Sequence, residues 1–544
     1  MNIHRLAGIA LLPLVLAGCQ SAPPAPWMAD LGDGRYQNPV LHADYSDPDA
    51  VRVDDTYYMT ASSFNAVPGL PLLISKDLVN WELAGHALPA LVPAERYATV
   101  RHGEGVWAPC LRYHDGKFWI FYPDPDLGIF VTTATNFAGP WSAPALLLPG
   151  KGIIDPTPLW DEDGKAYLLH AWAKSRAGIN NQLTLRSMAP DGSRLLDTAG
   201  RTIIDGNGIA NYRTLEGPKF YKANGYYYVF APAGGVEQGW QAVFRARTID
   251  GPYEVRTVMD QGTTAINGPH QGAWVRAGDG RDWFLHFQDK GAFGRVVHLQ
   301  PMQWQDDWPL IGEPGPKAGT GQPVLTHAKP VAGFPAKVLA TSDQFESPAL
   351  GLQWQWNANP APGWYSLEER PGYLRLRTQP LAAGLGVRSA PSILAQKLPA
   401  PSFVVDTHIE LRDALDGDRA GLILNGLQYA WLGLRRRARA TELVYTVCTA
   451  PPSSSLRCNE ETQVVLINAP SSLYLRVTME EGATARFAYS VDKVNFAPAG
   501  TPFAPSKGRW VGAQLGLFSV GAGASASHLD VDYFRITSPG RTPR

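Results

Sequence analysis

Apolar and polar residues alternate in short segments along the first three hundred residues of the chain. Five of these segments share one layout, a strand, a tight turn and a second strand, and they begin at Asp47, Trp107, Asp155, Glu216 and His270. Alternation with a period of two is typical of half-buried β-strands, and Asp-Gly or Asn-Gly between two strands is a hairpin signal. The pattern therefore predicts a β structure built from five similar units.

The spacing of the turns indicates how these units are arranged. The turn residues are Asp55, Asp115, Asp163, Asn224 and Asp279, which are separated by 60, 48, 61 and 55 residues. Periods of this length suit four-stranded propeller blades, and no helical pattern of convincing length lies between the units. We therefore predict a five-bladed β-propeller over residues 31–311, with a β-sandwich as the main alternative.

The first residue of each segment precedes its turn residue by eight or nine positions. These five residues should therefore occupy equivalent places in their blades. If each segment begins on the innermost strand, three carboxylates, a Trp and a His surround one mouth of the central channel. The alternative for a single position is structural, since an acidic residue before Pro, as in Asp47-Pro48, often begins a turn.

The last two hundred residues follow a different pattern. Residues 312–342 are rich in Pro and Gly without a period, which predicts a linker. Over residues 343–540 apolar and polar positions alternate again between clusters of turn residues, as in a β-sandwich. The expected fold class is therefore all-β, a five-bladed β-propeller followed by a β-sandwich.

Composition narrows the classes of function. Lys and Arg number 48 against 49 Asp and Glu, and the net charge of -1 gives no field that would attract nucleic acid, so a neutral or polar partner is expected. Seventeen Trp and 21 Tyr either stack on sugar faces or fill the β core. The chain has no phosphate loop, CxxC pair, HExxH motif or dinucleotide fingerprint.

The N-terminus resembles an export signal. Within residues 1–19 an early Arg5 precedes an apolar run and small residues, the layout of a secretory signal. The ending Leu16-Ala17-Gly18-Cys19 resembles the bacterial lipoprotein cleavage box, which implies a lipid anchor on Cys19 and a tether over residues 20–30. We expect an exported lipoprotein at the outer membrane, in the periplasm or at the cell surface, in contact with the membrane only through this anchor.

Three further cysteines remain. Cys448 and Cys458 lie ten residues apart around a Pro- and Ser-rich stretch, a spacing that suits a hairpin-closing disulfide in an oxidising compartment. Cys110 is then left without a partner, and we expect it to be buried.

Most of the propeller region resembles glycoside hydrolase family 43. The resemblance is carried by NPVLHADYSDPDAVRVDDTYYMTASSF, VWAPCLRYHDGKFWIFYP, IIDPTPLWDEDGKAYLLH and LEGPKFYK. It implies a five-bladed propeller that hydrolyses terminal xylose, arabinose or related sugars with inversion at the anomeric carbon. The stretch SSFNAVPGLPLLISKDLVNW looks most like the exo-acting β-xylosidase and α-L-arabinofuranosidase branch, and the C-terminal part resembles its concanavalin A-like domain. Xylo- or arabino-oligosaccharides are the expected substrates.

The same resemblance suggests roles for individual residues. It implies that Asp47 is the general base, Asp155 the carboxylate that tunes the acid, and Glu216 the general acid. Inversion requires room for a water molecule between base and acid, so we predict a gap of roughly 6.5–9.5 Å between the carboxyl groups of Asp47 and Glu216.

Other positions match binding residues of the family. Phe64 and Trp107 look like apolar walls of the first sugar pocket, with blade packing as the alternative, and Arg295 matches an arginine that reaches sugar hydroxyls. His270 resembles a histidine beneath the site that in many members lies near a calcium ion through water, although a hydrogen-bonded core His is the rival interpretation. No cofactor is expected to be required, and a structural Ca²⁺ in the channel is the one metal the resemblance allows. Asp49 and Gln271 depart from many relatives.

Several alternatives stay open at this point. The protein could bind glycans at the cell surface without catalysis, or it could be an endo-arabinanase or another exo-glycosidase of the same fold. Retaining and fructoside-cleaving relatives usually show Asn-Asp-Pro and Glu-Cys motifs, which are absent. The sandwich could close one side of the substrate pocket or act as a separate carbohydrate-binding module.

Overall fold

The computed structural model describes residues 25–449, 459–523 and 526–540. Within this part of the chain nearly all regular structure is β, and the fold class is the predicted one, a five-bladed propeller followed by a sandwich. The helical elements described are one α-helical turn and four short 3-10 segments: Lys174–Ala177, and Arg96–Ala98, Gly206–Gly208, Gly291–Phe293 and Val387–Ser389.

Each blade is an antiparallel sheet whose four strands follow one another along the chain. The strands are, for blade 1, Asp49–Val53, Thr56–Thr60, Gly69–Ser75 and Trp81–Leu88; for blade 2, Cys110–His114, Lys117–Asp124, Gly128–Ala134 and Ala145–Pro149; for blade 3, Ile153–Trp160, Ala166–Trp172, Gln182–Met188 and Arg201–Asp205; for blade 4, Lys219–Ala223, Tyr226–Ala233, Trp240–Ala246 and Glu254–Met259; for blade 5, His270–Arg276, Asp282–Asp289, Arg295–Gln305 and Trp308–Ile311.

The repeated turn signals form hairpins between the first two strands of each blade. In blade 2, His114 pairs with Lys117 across Asp115 and Gly116, whose φ angles are 49° and 70°. Two consecutive positive φ values match the right-handed twist of the strands, and Asp and Gly tolerate them better than most residues. The Asn224-Gly225 turn of blade 4 has the same geometry, whereas in blades 3 and 5 five residues lie between the paired ends of the two strands.

Segments before and after the five blades pair with each other and with blade 4. Arg35–Gln37 pairs with Thr326–Ala328, and two further short strands, Glu313–Pro314 and Gly321–Gln322, extend the sheet of blade 4. Part of the stretch predicted as a linker thus belongs to the propeller. The sequence could not show this, because the strands have two or three residues each and the partner of Thr326–Ala328 lies about 290 residues away.

The C-terminal domain consists of two packed sheets. The first contains, in spatial order, Gln355–Trp356, Leu394–Lys397, Gln514–Gly521, Arg419–Asn425, Tyr429–Arg437, Ala440–Cys448 and Glu460–Leu466, with Gln379–Pro380 beside Gln514–Gly521. The second contains Tyr365–Ser366, Leu374–Arg377, His528–Thr537, Phe403–Arg412, Ser472–Glu480, Thr484–Ser490 and Ala497–Phe503.

The sandwich packs directly against the propeller. One buried apolar cluster contains residues of both domains, among them Val67 of blade 1 and Trp356 of the sandwich, whose backbones are joined by a bridge. The backbone N–H of Ala513 also donates to the carbonyl of Ala292, at 2.7 Å. A shared apolar core favours a fixed arrangement of the two domains over a separate module on a flexible connection.

The structure describes two of the four cysteines of the chain. Cys110 is free and buried, as predicted. Cys448 is disulfide-bonded, whereas Cys458 and the proposed anchor Cys19 lie outside the described residues, so their roles stay predictions. Among the described residues no helix has the length and apolar character needed to cross a membrane.

Candidate active site

The five leading residues of the blades line one cavity. It has a volume of about 100 Å³, and its lining includes Asp47, Trp107, Asp155, Glu216 and His270. The remaining lining residues are Phe64, Ala108, Ile154, Val236, Gln271, Arg295 and Trp510. Every catalytic or sugar-contacting residue expected in the propeller therefore lies around this one pocket, at the mouth where the innermost strands begin.

The backbone at two of the carboxylates has an unusual conformation. Asp47 and Asp155 have φ angles of 54° and 53°, in the left-handed region that residues with a Cβ rarely adopt. Both stand just before or within the innermost strand of their blade, next to a Pro. Strained conformations of this kind persist where the surrounding structure holds them, and they cluster at functional sites.

Hydrogen-bond donors surround Asp47. Its Oδ2 accepts from the hydroxyl of Ser46 at 2.8 Å and from that of Ser62 at 2.6 Å. The guanidinium of Arg295 donates to Oδ1 at 3.1 Å and also to the Ser46 hydroxyl at 2.7 Å. All of these groups donate to the carboxylate, which orients it as an acceptor, and only 7% of its side chain is exposed. This is the form and orientation that a base needs in order to take a proton from water.

Asp155 and Glu216 lie on adjacent blades and influence each other's charge. Oδ2 of Asp155 accepts from the backbone N–H of Gly217 at 2.8 Å. Burial raises the pKa of Asp155, and the Gly217 N–H opposes this rise because it stabilises the ionised form. For Glu216, burial is again the largest cause of a raised pKa, and the negative charge of Asp155 raises it further.

The environments of the two groups decide which keeps its proton. Asp155 has the Gly217 N–H, whereas no described residue donates a hydrogen bond to the Glu216 carboxyl group. Glu216 is therefore the carboxyl group that stays protonated longer as the pH rises. Its side chain keeps 25% of its surface exposed, towards the space of the pocket, so the proton can be delivered to a bound molecule.

His270 lies beneath Glu216. Its Nε2 is 3.8 Å from Oε1 of Glu216, beyond hydrogen-bond distance, and neither ring nitrogen has a partner among the described residues. Burial, followed by the charge of Arg295, lowers the pKa of His270 to about 3, so the ring is neutral at ordinary pH. The rival interpretation of a hydrogen-bonded core histidine does not fit this geometry.

The expected calcium ion can be tested against the donor groups. Ca²⁺ takes six to eight oxygen ligands, whereas His270 offers only nitrogen. The described residues contain no group of three His, Cys, Asp or Glu side chains placed to hold a metal ion together. These residues do not provide a direct calcium site, so no chemical step is assigned to a metal, and coordination through water stays a prediction.

Three aromatic side chains form the walls of the pocket. The backbone of Phe64 pairs with that of Val106, which sets the ring of Phe64 beside Trp107 with 6.4 Å between ring centroids. Gly105 permits this approach, because a Cβ there would lie 2.3 Å from the Phe64 carbonyl oxygen. The third wall is Trp510 of the sandwich, 5.8 Å from Trp107.

The loop that carries Trp510 is anchored to the propeller by buried polar contacts. The carboxylate of Asp44, 6% exposed, accepts from the backbone N–H of Arg295 and from that of Gly512, both at 2.8 Å. Nζ of Lys507 donates to Asp289 at 3.0 Å. Asp44 thus links the strand that begins with the pocket arginine to the loop that supplies the pocket tryptophan.

Asp49, the departure noted in the sequence, serves the fold. Its fully buried carboxylate accepts from the backbone N–H of Leu111 at 2.8 Å and from Arg112 at 3.0 Å, and it lies 3.3 Å from Nζ of Lys219. These contacts join the innermost strands of blades 1, 2 and 4 below the pocket. Asp49 is absent from the pocket lining, so its role is structural.

The sequence analysis did not identify four residues that shape the site, which are Ser46, Ser62, Asp44 and Trp510. Ser46 directly precedes Asp47 and Ser62 follows the next strand, Thr56–Thr60, and neither serine carries any other signal of its role. Asp44 and Trp510 are separated by more than 460 residues, and nothing in the local pattern of either indicates a pocket. Their roles depend on the docking of the two domains.

Comparison with known sequences agrees with this geometry. The family model described as "Glycosyl hydrolases family 43" matches residues 36–309, about half of the chain. The chain belongs to glycosyl hydrolase family 43. A second model, "Beta xylosidase C-terminal Concanavalin A-like domain", matches residues 342–537.

Relatives of this family 43 protein extend over nearly the whole chain. A protein of Xylanibacter ruminicola is 38% identical over 90% of this chain and 87% of its own. A beta-xylosidase of Formosa agariphila is 34% identical over 94% of this chain and 92% of its own. A xylan beta-1,4-xylosidase from Bacillus halodurans has a similar structure, with a TM-score of 0.80, 25% sequence identity, and coverage of 92% of this chain and 100% of that one.

These relationships establish the class of reaction. The protein is a glycoside hydrolase, and its family implies an oligosaccharide substrate. The surface glycan-binding alternative without catalysis is therefore set aside. The sugar released, the stereochemistry and the role of each carboxylate are argued below.

Proposed function

We propose that this enzyme is an exo-acting, inverting hydrolase that releases terminal pentoses, β-D-xylose or α-L-arabinose, from xylan-derived oligosaccharides. The observation that carries the proposal is one pocket in which carboxylates from blades 1, 3 and 4 meet three aromatic walls. Two of the relatives are described as beta-xylosidases, and a non-reducing end alpha-L-arabinofuranosidase of Bacteroides ovatus is 30% identical over 73% of this chain and 75% of its own.

The size of the pocket supports removal of terminal sugars. At about 100 Å³ it is far smaller than the roughly 300–1,000 Å³ of pockets that hold drug-sized molecules. A space of this size suits one sugar residue better than a stretch of polysaccharide. The sandwich contributes to this closure through Trp510, which an open groove of the endo-arabinanase kind would not need.

In the proposed mechanism, Asp47 removes a proton from a water molecule as that water attacks the anomeric carbon. Glu216 at the same time gives its proton to the glycosidic oxygen, which leaves with the aglycone. Asp155 holds the proton on Glu216 through its negative charge, and Arg295 orients Asp47. In this arrangement water attacks from the face opposite the leaving group, which inverts the anomeric configuration.

The test is hydrolysis of an aryl β-D-xylopyranoside and an aryl α-L-arabinofuranoside, measured in parallel for wild type and Glu216→Gln. We expect wild type to hydrolyse at least one of them and the variant to fail on a substrate with a poor leaving group. Proton NMR of the first product should show the inverted anomer. Retention of configuration, or no activity on either pentoside, would contradict the proposal.

We also propose that the enzyme is exported and held at a membrane by a lipid on Cys19. The supporting observation is the lipoprotein-like cleavage box at residues 16–19 of the sequence. Metabolic labelling with a fatty acid should mark wild type in a bacterial host and leave Cys19→Ala unlabelled. Labelling of both proteins would place the lipid elsewhere.

A further inference from the structure

Gln271 lines the pocket that holds the three carboxylates but takes no part in the proposed mechanism. It follows His270 on the innermost strand of blade 5, and only 3% of its surface is exposed. Its amide nitrogen, Nε2, is buried and has no hydrogen-bond partner among the described residues. Buried polar groups of side chains nearly always have a partner. Gln271 therefore has a hydrogen-bond donor that the described part of the protein does not use.

A β-bulge separates Gln271 from the regular pairing of its strand. His270 pairs with Phe287 and Gly272 pairs with His286, so Gln271 has no partner in the ladder. Its φ angle is 38°, in the left-handed region that residues with a Cβ rarely adopt. Bulges change the direction of a side chain and are common beside active sites. A conformation of this kind persists only where the surrounding structure holds it, which is typical of functional positions.

The same irregularity recurs around the pocket. In blade 3 the pairing shifts between Ile154 and Thr157, at Asp155, whose φ angle is 53°. Positive φ angles occur at five of the residues that line the pocket: Asp47, Phe64, Asp155, Gln271 and Trp510. The other four are two carboxylates and two aromatic walls. Gln271 therefore shares this backbone feature with residues that are assigned to the reaction or to the fit of the substrate.

The amide of Gln271 lies beside the residue that follows the proposed general acid. A Cβ on Gly217 would lie 2.7 Å from Cδ of Gln271, so a glycine at this position leaves space for the amide. The N–H of Gly217 donates to Asp155 at 2.8 Å. The amide is therefore close to Gly217, which follows Glu216 in the chain and binds Asp155.

A hydroxyl group of a bound sugar is a suitable partner for this amide. Asp47, Asp155 and Arg295, three other polar residues of the lining, already have hydrogen-bond partners in the protein. A sugar that enters a pocket of about 100 Å³ displaces the water from it, so the hydroxyl groups of the sugar have to replace the hydrogen bonds of that water. A side-chain amide donates and accepts, and so does a hydroxyl group.

We propose that Gln271 forms a hydrogen bond with a hydroxyl group of the terminal sugar and is a specificity-determining residue of this enzyme. The inference rests on the proposed function, because it takes the pocket to be the place of the terminal sugar. A site that hydrogen-bonds a hydroxyl group disfavours an analogue without that group, since the polar group of the protein is then left unpaired. Gln271 thus selects sugars by the position of one hydroxyl group.

The first experiment removes the amide and the hydroxyl groups separately. We would measure kcat/KM on the aryl pentoside that wild type hydrolyses faster and on analogues that each lack one hydroxyl group. Gln271→Met keeps an unbranched side chain of similar length but has no amide. We expect it to lose about tenfold or more on the parent pentoside and little on the one analogue that lacks the partner of Gln271. Gln303→Met, at an exposed position of the third strand of blade 5, is the matched control and should behave as wild type.

Three results would overturn the proposal. They are no loss in Gln271→Met, an equal loss on the parent pentoside and on every analogue, and a shift of the alkaline limb of the profile of kcat against pH. The last two would show that Gln271 holds the shape of the site or positions Glu216 without binding the sugar. Thermal unfolding checks that each variant is folded. If Gln271→Met is unfolded, Gln271→Asn replaces it, because Asn adopts positive φ angles more readily and its amide is shorter by one methylene group.

The second experiment measures binding without catalysis. Titration calorimetry would compare wild type, Gln271→Met and Gln303→Met for free D-xylose, L-arabinose, D-glucose and D-galactose. We expect the sugar that binds wild type most tightly to bind Gln271→Met about tenfold more weakly and the control equally well. If wild type hydrolyses neither pentoside, the proposed function fails, and this experiment alone decides the role of Gln271. Equal binding to wild type and Gln271→Met, or no binding of any of these sugars, would then overturn it.

Discussion

The propeller and the sandwich contribute different things to one pocket. The propeller supplies all three carboxylates and Arg295, whereas the sandwich supplies one aromatic wall, Trp510. Asp155 accepts from the backbone N–H of Gly217, and Asp47 accepts from hydroxyl groups and from Arg295, whereas the tryptophan lies on a loop that docks through Asp44. The groups that carry out the reaction therefore lie on the propeller, whereas the sandwich contributes only to the fit of the substrate. Substitutions in the two domains should for this reason affect different kinetic constants.

The largest effect is expected from Glu216→Gln on the propeller side. Without a proton donor, hydrolysis of a substrate with a poor leaving group should fall by about 10²–10⁴-fold in kcat. A dinitrophenyl pentoside should lose much less, because its leaving group needs no proton. Glu162→Gln, at a site 86% exposed, is the control and should match wild type. Equal losses on both substrates would argue against the acid role of Glu216.

Asp155→Asn, also on the propeller side, should change the pH dependence of hydrolysis. In wild type the negative charge of Asp155 raises the pKa of Glu216, so the variant should have a lower Glu216 pKa. Glu216 then loses its proton at lower pH, and the alkaline limb of the profile of kcat against pH should shift to lower pH. We expect a loss of about tenfold or more at pH 7. An unmoved alkaline limb would show that Asp155 acts in another way.

A smaller effect, on substrate fit, is expected from the sandwich side. Trp510→Ala should raise KM about tenfold with a modest change in kcat, since loss of an aromatic contact costs about 0.5–1.5 kcal/mol. Trp510→Phe keeps an aromatic wall and should recover most of the affinity. A drop in kcat without a change in KM would contradict the assignment of Trp510 to substrate fit.

The smallest effect is expected at Asp44, which joins the propeller to the loop that carries Trp510. Asp44→Asn keeps the shape but replaces one acceptor oxygen by an NH₂ group, so either the Arg295 or the Gly512 N–H loses its partner. A lost hydrogen bond of this kind costs about 0.5–3 kcal/mol. We expect a lower Tm and a rise in KM of a few-fold. Asp279→Asn at an exposed blade turn is the control, and a variant with normal KM would show that the loop is held by its other contacts.

Local patterns in the sequence predicted much of this molecule. The Asp-Gly and Asn-Gly turns carry hairpin geometry in themselves, so the blades and their number could be read from spacing. Because equivalent residues of repeated units occupy equivalent places, the same spacing brought Asp47, Asp155 and Glu216 together with Trp107 and His270. Phe64 and Arg295 followed from the family resemblance, and the structure places both in the same pocket.

The sequence alone therefore determined the fold class and the propeller half of the pocket, because both follow from short-range turn chemistry repeated at a regular interval. Only the tertiary structure decided that Trp510 closes the pocket and that Asp44 holds it there. The contacts of Trp510 with Trp107 and of Gly512 with Asp44 join residues more than 400 positions apart. They depend on how two separately patterned domains pack, and no local periodicity records that packing.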